Sequence, residues 1–454
     1  MARAFLRIVA ATLAAAGLSV YFFSPRFVLW RLLGTSITPP ELVRAGDALR
    51  QLQHPLMHMD SSVNSVLEWR LLLPALGHAL RLPDAVYLGL PHLGALLALG
   101  FVVAVARRHG FGWPRAIAAA TILATSDWFF VSVGWLGYFD SWCILGLLLV
   151  AFARRPWVAA VAILAAPWID ERFVLALPLC LFLRTVPLGA EKPSMREPIA
   201  WRRLFELGLA LLPWVLIRGW FYWRGGDDVT SPYLRDWTAN GAIAPLSYLA
   251  GLWEGARWGW LAVLALVVQQ GRTAPRWCAA LLAILAGTMA ASLFLAEDLS
   301  RSASVAAPAV LFGLLFLRFP SPRAAILGTI AVAALNLLCP ARHVSGNHRV
   351  PILYLPAELS RNRDPLGDFS PTVFEDRGIA AAKAGQLDEA LQLFDATIRL
   401  DPSRPELWLL RGEIRAERND IRGAAADVAE SLRRGGDGWH QRAEALRVLH
   451  ALSP

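Results

Sequence analysis

The chain has 454 residues, 56% of them hydrophobic and only 17% charged, with nineteen Trp and a mean hydropathy of +0.45. Soluble domains carry about 25% charged residues, so at this length the balance argues against a soluble protein and for a polytopic membrane protein. The net charge is +9, but the basic residues are almost all Arg and much of the excess lies in short loops between apolar runs. A cytoplasmic-side bias explains that, and nucleic acid is set aside as a partner.

In chain order, "MARAFLRIVAATLAAAGLSVYFF" joins Arg3 and Arg7 to an apolar core and reads as an uncleaved signal anchor. Further spans of about 20 apolar residues are expected near 85–106, 114–133, 138–153, 204–223, 256–270, 276–295, 302–318 and 323–340. The run 156–185 is interrupted by Asp170, Glu171 and Arg172 in "PWIDERFV". Read as one span, it would put "EKPSMREPIAWRR" (191–203) on the outside, against the positive-inside rule. Read as a hairpin turning at "DER", it returns that loop and every later basic loop to the cytoplasm. The hairpin brings the count to about 11 spans and leaves the C-terminus outside.

Two segments of the first outer loop (34–84), "TPPELVRAGDALRQL" and "SVLEWRLLLPALGHAL", have helical periodicity and read as surface helices. Cys143, Cys180, Cys278 and Cys339 are scattered, with no zinc or disulfide spacing. "HPLMHMD" puts His54, His58 and Asp60 close together, but two His four apart beside Pro55 do not make a ligand set. No metal or other cofactor is indicated, and a divalent metal stays open.

The tail, 371–454, is polar and helical after a linker expected at 341–370. It resembles the tetratricopeptide repeat, whose period is 34. Gly378, Ala390, Phe394 and Pro402 match the small, small, aromatic and Pro positions of one copy. Trp408, Gly412 and Ala424 match a second, and 439–451 reads as a capping helix. Two repeats are few for independent stability, so a protein partner or a docked arrangement is expected there.

The parity places many polar residues on one, non-cytoplasmic side: Glu41, Asp47, His54, His58, Asp60, Glu68, Arg70, Asp140, Asp170, Glu171, Asp227, Asp228, Glu297, Asp298 and Arg301. "DLSRSASVAAP" has an acid–x–x–Arg turn before a Pro-containing span, and "EWRLLLPAL" follows the acidic loop. With the long first outer loop, this layout over 1–340 resembles the GT-C fold of membrane glycosyltransferases. The added repeats resemble the eukaryotic transmembrane-and-TPR mannosyltransferases.

The resemblance implies an all-α, polytopic transmembrane bundle over 1–340 followed by a small repeat domain. It implies transfer of a sugar from a polyprenyl-phosphate donor to a glycan, lipid or protein acceptor, outside a bacterial cytoplasmic membrane. The acceptor hydroxyl must lose a proton, which a carboxylate accepts. Glu41 fits by position and Asp60 is second. The lipid-phosphate leaving group wants a guanidinium, and Arg301 fits at the mouth of a span. Asp140, Asp170, Glu171, Asp298 and Arg70 are the other expected substrate-binding residues.

Each has a structural reading beside the chemical one. Glu41 suits a helix N-terminal turn, Asp140 a helix cap, Arg301 a salt bridge to Asp298 or Glu297, and Arg172 a pair with its own neighbours. The first loop holds no Asp-Asp or Asp-Glu pair, which favours the alternative of a non-catalytic scaffold that recruits a partner through the repeats. An O-antigen ligase or polymerase ranks third, because 224–255 has few Arg or His.

Overall fold

The computed structural model describes residues 2–26, 29–30, 33, 40–57, 65–186, 207–223, 243–296, 298–361 and 371–452. These are mostly helical, with one two-stranded sheet. Among the described residues, four helices are long and apolar enough to cross a membrane: Arg3–Phe22, Asp84–Arg108, Pro275–Phe294 and Leu299–Phe316. Trp113–Ala124 and Asp127–Gly134 make a fifth if their 72° bend lies within one span. The other expected spans that are described are shorter helices, Asp140–Phe152, Pro156–Trp168, Leu207–Trp220 and Pro322–Leu338, with Arg172–Arg184 as the second hairpin arm and Trp260–Gln270 in the expected 256–270. At about 1.5 Å per residue they fall short of a hydrocarbon core about 30 Å thick.

Three of the four long helices carry apolar residues on their exterior. Phe5, Leu13, Leu93, Leu97 and Leu282 are all exposed, as expected where lipid rather than water is the solvent.

The chain divides into two units. The first comprises Met1–Arg26 and Arg44–Ala357, the second Phe27–Val43 and Glu358–Pro454. Within the first unit the 18 residues Leu299–Phe316 are completely enclosed by other helices. Trp277 stacks between Phe182 and Phe312, with ring centroids 5.7 and 5.5 Å away, which joins three helices through one aromatic column. Helix Pro245–Ala256 lies against Leu299–Ala303 through Gly251 and Gly255. A Cβ on Gly255 would stand 2.8 Å from the Ala303 carbonyl carbon. This small-xxx-small face sets the position of the residues around Arg301. A Gly255→Val exchange pushes against backbone that has no room to yield. It is expected to cost about 3 kcal/mol, read by denaturant-induced unfolding in detergent.

Three departures from the expected layout matter. The expected span 114–133 breaks at "ATSD". There Thr125 Oγ1 and Ser126 Oγ donate to the carbonyls of Ile122 and Leu123 (2.9 and 2.6 Å), satisfying the helix end from within. Arg257, fully buried with φ of 50°, donates to the carbonyls of Asn336 (2.7 Å), Pro340 (3.2 Å) and Thr125 (3.4 Å). It thereby ties the bend to the end of helix Pro322–Leu338. The third departure is in the expected linker. Residues 341–352 form an antiparallel hairpin, β1 (Ala341–Ser345) and β2 (His348–Ile352), which belongs to the first unit. The bundle is therefore not purely helical.

The second unit holds Pro371–Lys383, Leu387–Leu400, Pro405–Glu417, Ile421–Gly435 and Arg442–Leu452. The small residues sit where helices meet. A Cβ on Gly378 would lie 3.1 Å from the buried Phe394 ring. One on Gly412 would lie 2.8 Å from Val428 Cγ2 and 3.2 Å from the Ala424 carbonyl oxygen. Arg411 spans three helices through Asp427 (2.8 and 2.6 Å) and Asp395. Replacing Gly412 by Leu is expected to remove about 2–3 kcal/mol and to expose 371–452 to limited proteolysis while the first unit resists.

Candidate functional site

Six of the residues singled out in the sequence meet in one buried cluster of the first unit. They are Arg70, Asp140, Asp170, Glu171, Asp298 and Arg301.

The local structure explains why. Arg70 lies between the short turn Ser65–Trp69 and helix Leu72–Ala79. Asp140 is the first residue of helix Asp140–Phe152, where a negative charge is favoured. That helix start is fixed by its neighbours. Ser141 N donates to Ser132 Oγ (2.9 Å), Ser141 Oγ to the Pro91 carbonyl (2.7 Å) and Trp142 Nε1 to the Leu90 carbonyl (2.9 Å). Asp140 Oδ1 accepts from Arg172 and Arg301, so the carboxylate serves the cluster and not its own helix. Asp170 and Glu171 occupy the break between Pro156–Ala165 and Arg172–Arg184. The Arg172 amide closes the turn on Asp170 Oδ1 at 3.0 Å.

The guanidiniums alternate with the carboxylates. Arg172 donates through Nε to Asp170 Oδ1 (2.8 Å) and through Nη2 to Asp170 Oδ2 (2.5 Å) and Asp140 Oδ1. Arg301 donates to Asp140 Oδ1 (2.6 Å) and Asp298 Oδ2 (2.9 Å), and its Nη2 stands 3.8 Å from Asp170. Arg70 forms a two-point pair with Glu171 (2.7 and 3.1 Å) and lies 3.3 Å from Asp170 Oδ2. Tyr138 lies between two cations, 4.8 Å from Arg301 and 4.4 Å from Arg44. Asp170 is 1% exposed, so these charges see a low dielectric and each depends on its partner. The exception is Glu171, whose side chain is 35% exposed.

A second group continues the cluster. Asp298 pairs with Ser345 of β1 through an isolated bridge. Two residues earlier in β1, His343 places Nε2 3.2 Å from Asp298 Oδ1 and Nδ1 2.9 Å from Asp127 Oδ2. Ser300 Oγ also donates to Asp127 Oδ2, at 3.0 Å. Burial works against charge on His343, but Asp298 and Asp127 outweigh it and hold the imidazole above its ordinary range.

Beside Arg70 a small cleft of about 10 Å³, room for about one water, is lined by Gln51, Leu67, Leu73, Pro74, Tyr87, Phe139 and Ile169. Among the described residues, the buried Tyr87 hydroxyl there has no hydrogen-bond partner. Asp140 Oδ2 is likewise buried without a donor.

The expected bases are not part of this picture. Glu41 falls in helix Pro40–Gln53, but its side chain lies outside the described residues, as do Asp60, His58, Asp227, Asp228 and Glu297. Arg301, expected at an open mouth, is 7% exposed and committed to carboxylates. Arg70 is the guanidinium that reaches the cleft.

The sequence reading left Asp127 and His343 out of the candidate set. An ionisable residue inside an apparent span was the signal for Asp127. His343 had none, because it lay in the expected linker.

Comparison with protein-family models, with curated proteins and with solved structures gives no match for this chain.

Proposed function

We propose that the chain is a membrane glycosyltransferase of the GT-C type that takes its sugar from a polyprenyl phosphate on the non-cytoplasmic side. About 11 membrane passes and a tetratricopeptide-like tail go with that reading. The observation that carries it is the meeting of Arg70, Asp140, Asp170–Arg172 and Asp298–Arg301, far apart in sequence, in one charged cluster beside a cleft.

The phosphate end of such a donor is assigned to this cleft, which has to widen to admit it. Its walls are Leu67, Leu73, Pro74, Phe139 and Ile169, with Arg70 and the unpartnered Tyr87 hydroxyl supplying donors. At about 10 Å³ it is far below the ~300 Å³ of an ordinary ligand pocket, so the isoprenoid tail lies along the apolar exterior. In the transfer, the acceptor oxygen bonds to the anomeric carbon as the bond from that carbon to the phosphate oxygen breaks. The electron pair leaves on the phosphate, where Arg70 offsets the charge, and the acceptor proton passes to a carboxylate. The resemblance gives that base role to Glu41 or Asp60.

A second reading has its own support. Every guanidinium of the cluster already bonds a carboxylate, as in a purely structural keystone. Release of labelled sugar from polyprenyl-phosphate donors by purified protein separates the two. Turnover supports the transferase, and its absence with every donor from folded protein supports the scaffold.

A further inference from the structure

We infer that Asp127, Asp298 and His343 bind one divalent transition-metal ion, of the Zn²⁺ or Mn²⁺ class. They come from three separate segments, namely the second half of the bent helix pair, the turn before Leu299–Ala303, and β1. One ligating atom from each lies within 4.8 Å of the others. The His343 nitrogens stand 2.9 and 3.2 Å from the two carboxylates. Ligands bound at about 2.0–2.2 Å around a tetrahedral ion are roughly 3.4 Å apart, and because one ion takes only one ring nitrogen, binding turns the imidazole so that a single nitrogen converges with both carboxylates.

Two further observations point to a cation. Asp298 Oδ1 faces His343 Nε2 at 3.2 Å, and among the described residues Asp127 Oδ1 is a buried oxygen without a hydrogen-bond donor, on a side chain only 1% exposed. A buried carboxylate oxygen left in this state is costly, and a metal ion removes the cost. Among the described residues, His343 is the one ionic partner of Asp127. The surrounding bonds also orient the ligands as outer-shell partners do. Ser300 Oγ holds Asp127 Oδ2 (3.0 Å), Arg301 holds Asp298 Oδ2 (2.9 Å), and the Trp135 ring meets the His343 ring edge-on at 4.1 Å. One nitrogen and two oxygen donors suit Zn²⁺ or Mn²⁺ better than Ca²⁺ or Mg²⁺, which prefer oxygen alone. Three protein ligands leave a position for an oxygen of solvent or substrate. The site stands whether or not the chain transfers sugars.

The test uses the full chain, purified without a histidine tag, stripped with chelator and titrated with Co²⁺ under visible absorption. The expected result is one Co²⁺ per chain, displaced by Zn²⁺. Binding weakens about 100-fold in His343→Gln and in Asp298→Asn and is unchanged in His54→Ala, since His54 is exposed. If His343→Gln fails to fold, Asp298→Asn, at the most exposed of the three positions, decides alone. No stoichiometric Co²⁺ in the wild type overturns the inference and leaves an imidazolium held between two carboxylates. Undiminished binding in Asp298→Asn overturns it equally.

Discussion

Asp170→Asn is expected to destabilise the first unit by about 3–5 kcal/mol, whereas Glu171→Gln, one residue away, costs less than about 1 kcal/mol. The two carboxylates share a turn but not an environment. Asp170 is 1% exposed and accepts from Arg172 at 2.8 and 2.5 Å, with Arg70 at 3.3 Å. Asparagine keeps its shape and removes its charge, which strands two buried guanidiniums with one counter-ion fewer. Glu171 has a 35% exposed side chain and bonds only Arg70, so water takes over much of its role. Unfolding of both variants in detergent by a denaturant titration reads the difference. Equal, small losses would mean that the "DER" turn is solvated and that the cluster is not buried.

Arg70→Gln is expected to lower donor turnover by about 10²–10³-fold, the size of effect seen when one charge-stabilising donor is removed from a transition state. Arg70, itself paired with Asp170 and Glu171, lines the cleft, whereas Arg172 and Arg301, paired with Asp140, Asp170 and Asp298, do not. The loss should fall on kcat more than on KM, because the phosphate charge grows as the bond breaks. Arg70→Lys keeps the charge but loses the two-point pair with Glu171, so it should recover part of the rate. Turnover is normalised to folded protein, since Arg70 also steadies Asp170. An unchanged rate in Arg70→Gln would remove this arginine from the reaction.

Much of this site was legible as a list of residues and not as a geometry. Loop parity put Arg70, Asp140, Asp170, Glu171, Asp298 and Arg301 on one side, and the fold gathers those six. Periodicity also picked out the helices that appear as Pro40–Gln53 and Leu72–Ala79, and those of the tail.

Hydropathy could not see the rest. The Thr125–Ser126 bend is hidden because both hydroxyls bond their own helix end, so an apolar window runs through it. The hairpin at 341–352 is too short and too polar for a periodicity signal, yet it carries His343 to Asp127. The role of Arg301 also changed with geometry. Its place at a span mouth suggested access, but three nearby carboxylates draw it inward. Asp140, a plausible cap by sequence, is taken by Arg172 and Arg301 instead.

The most direct measurement is photocrosslinking of the purified chain with a polyprenyl phosphate that carries a photoreactive group next to the phosphate, with the adducts mapped by peptide mass. Adducts on Leu67, Leu73, Pro74, Tyr87, Phe139 or Ile169, competed by unlabelled lipid phosphate and lost in Arg70→Gln, are the predicted result. Adducts confined to other segments, or none that unlabelled lipid competes, would contradict a donor site beside Arg70.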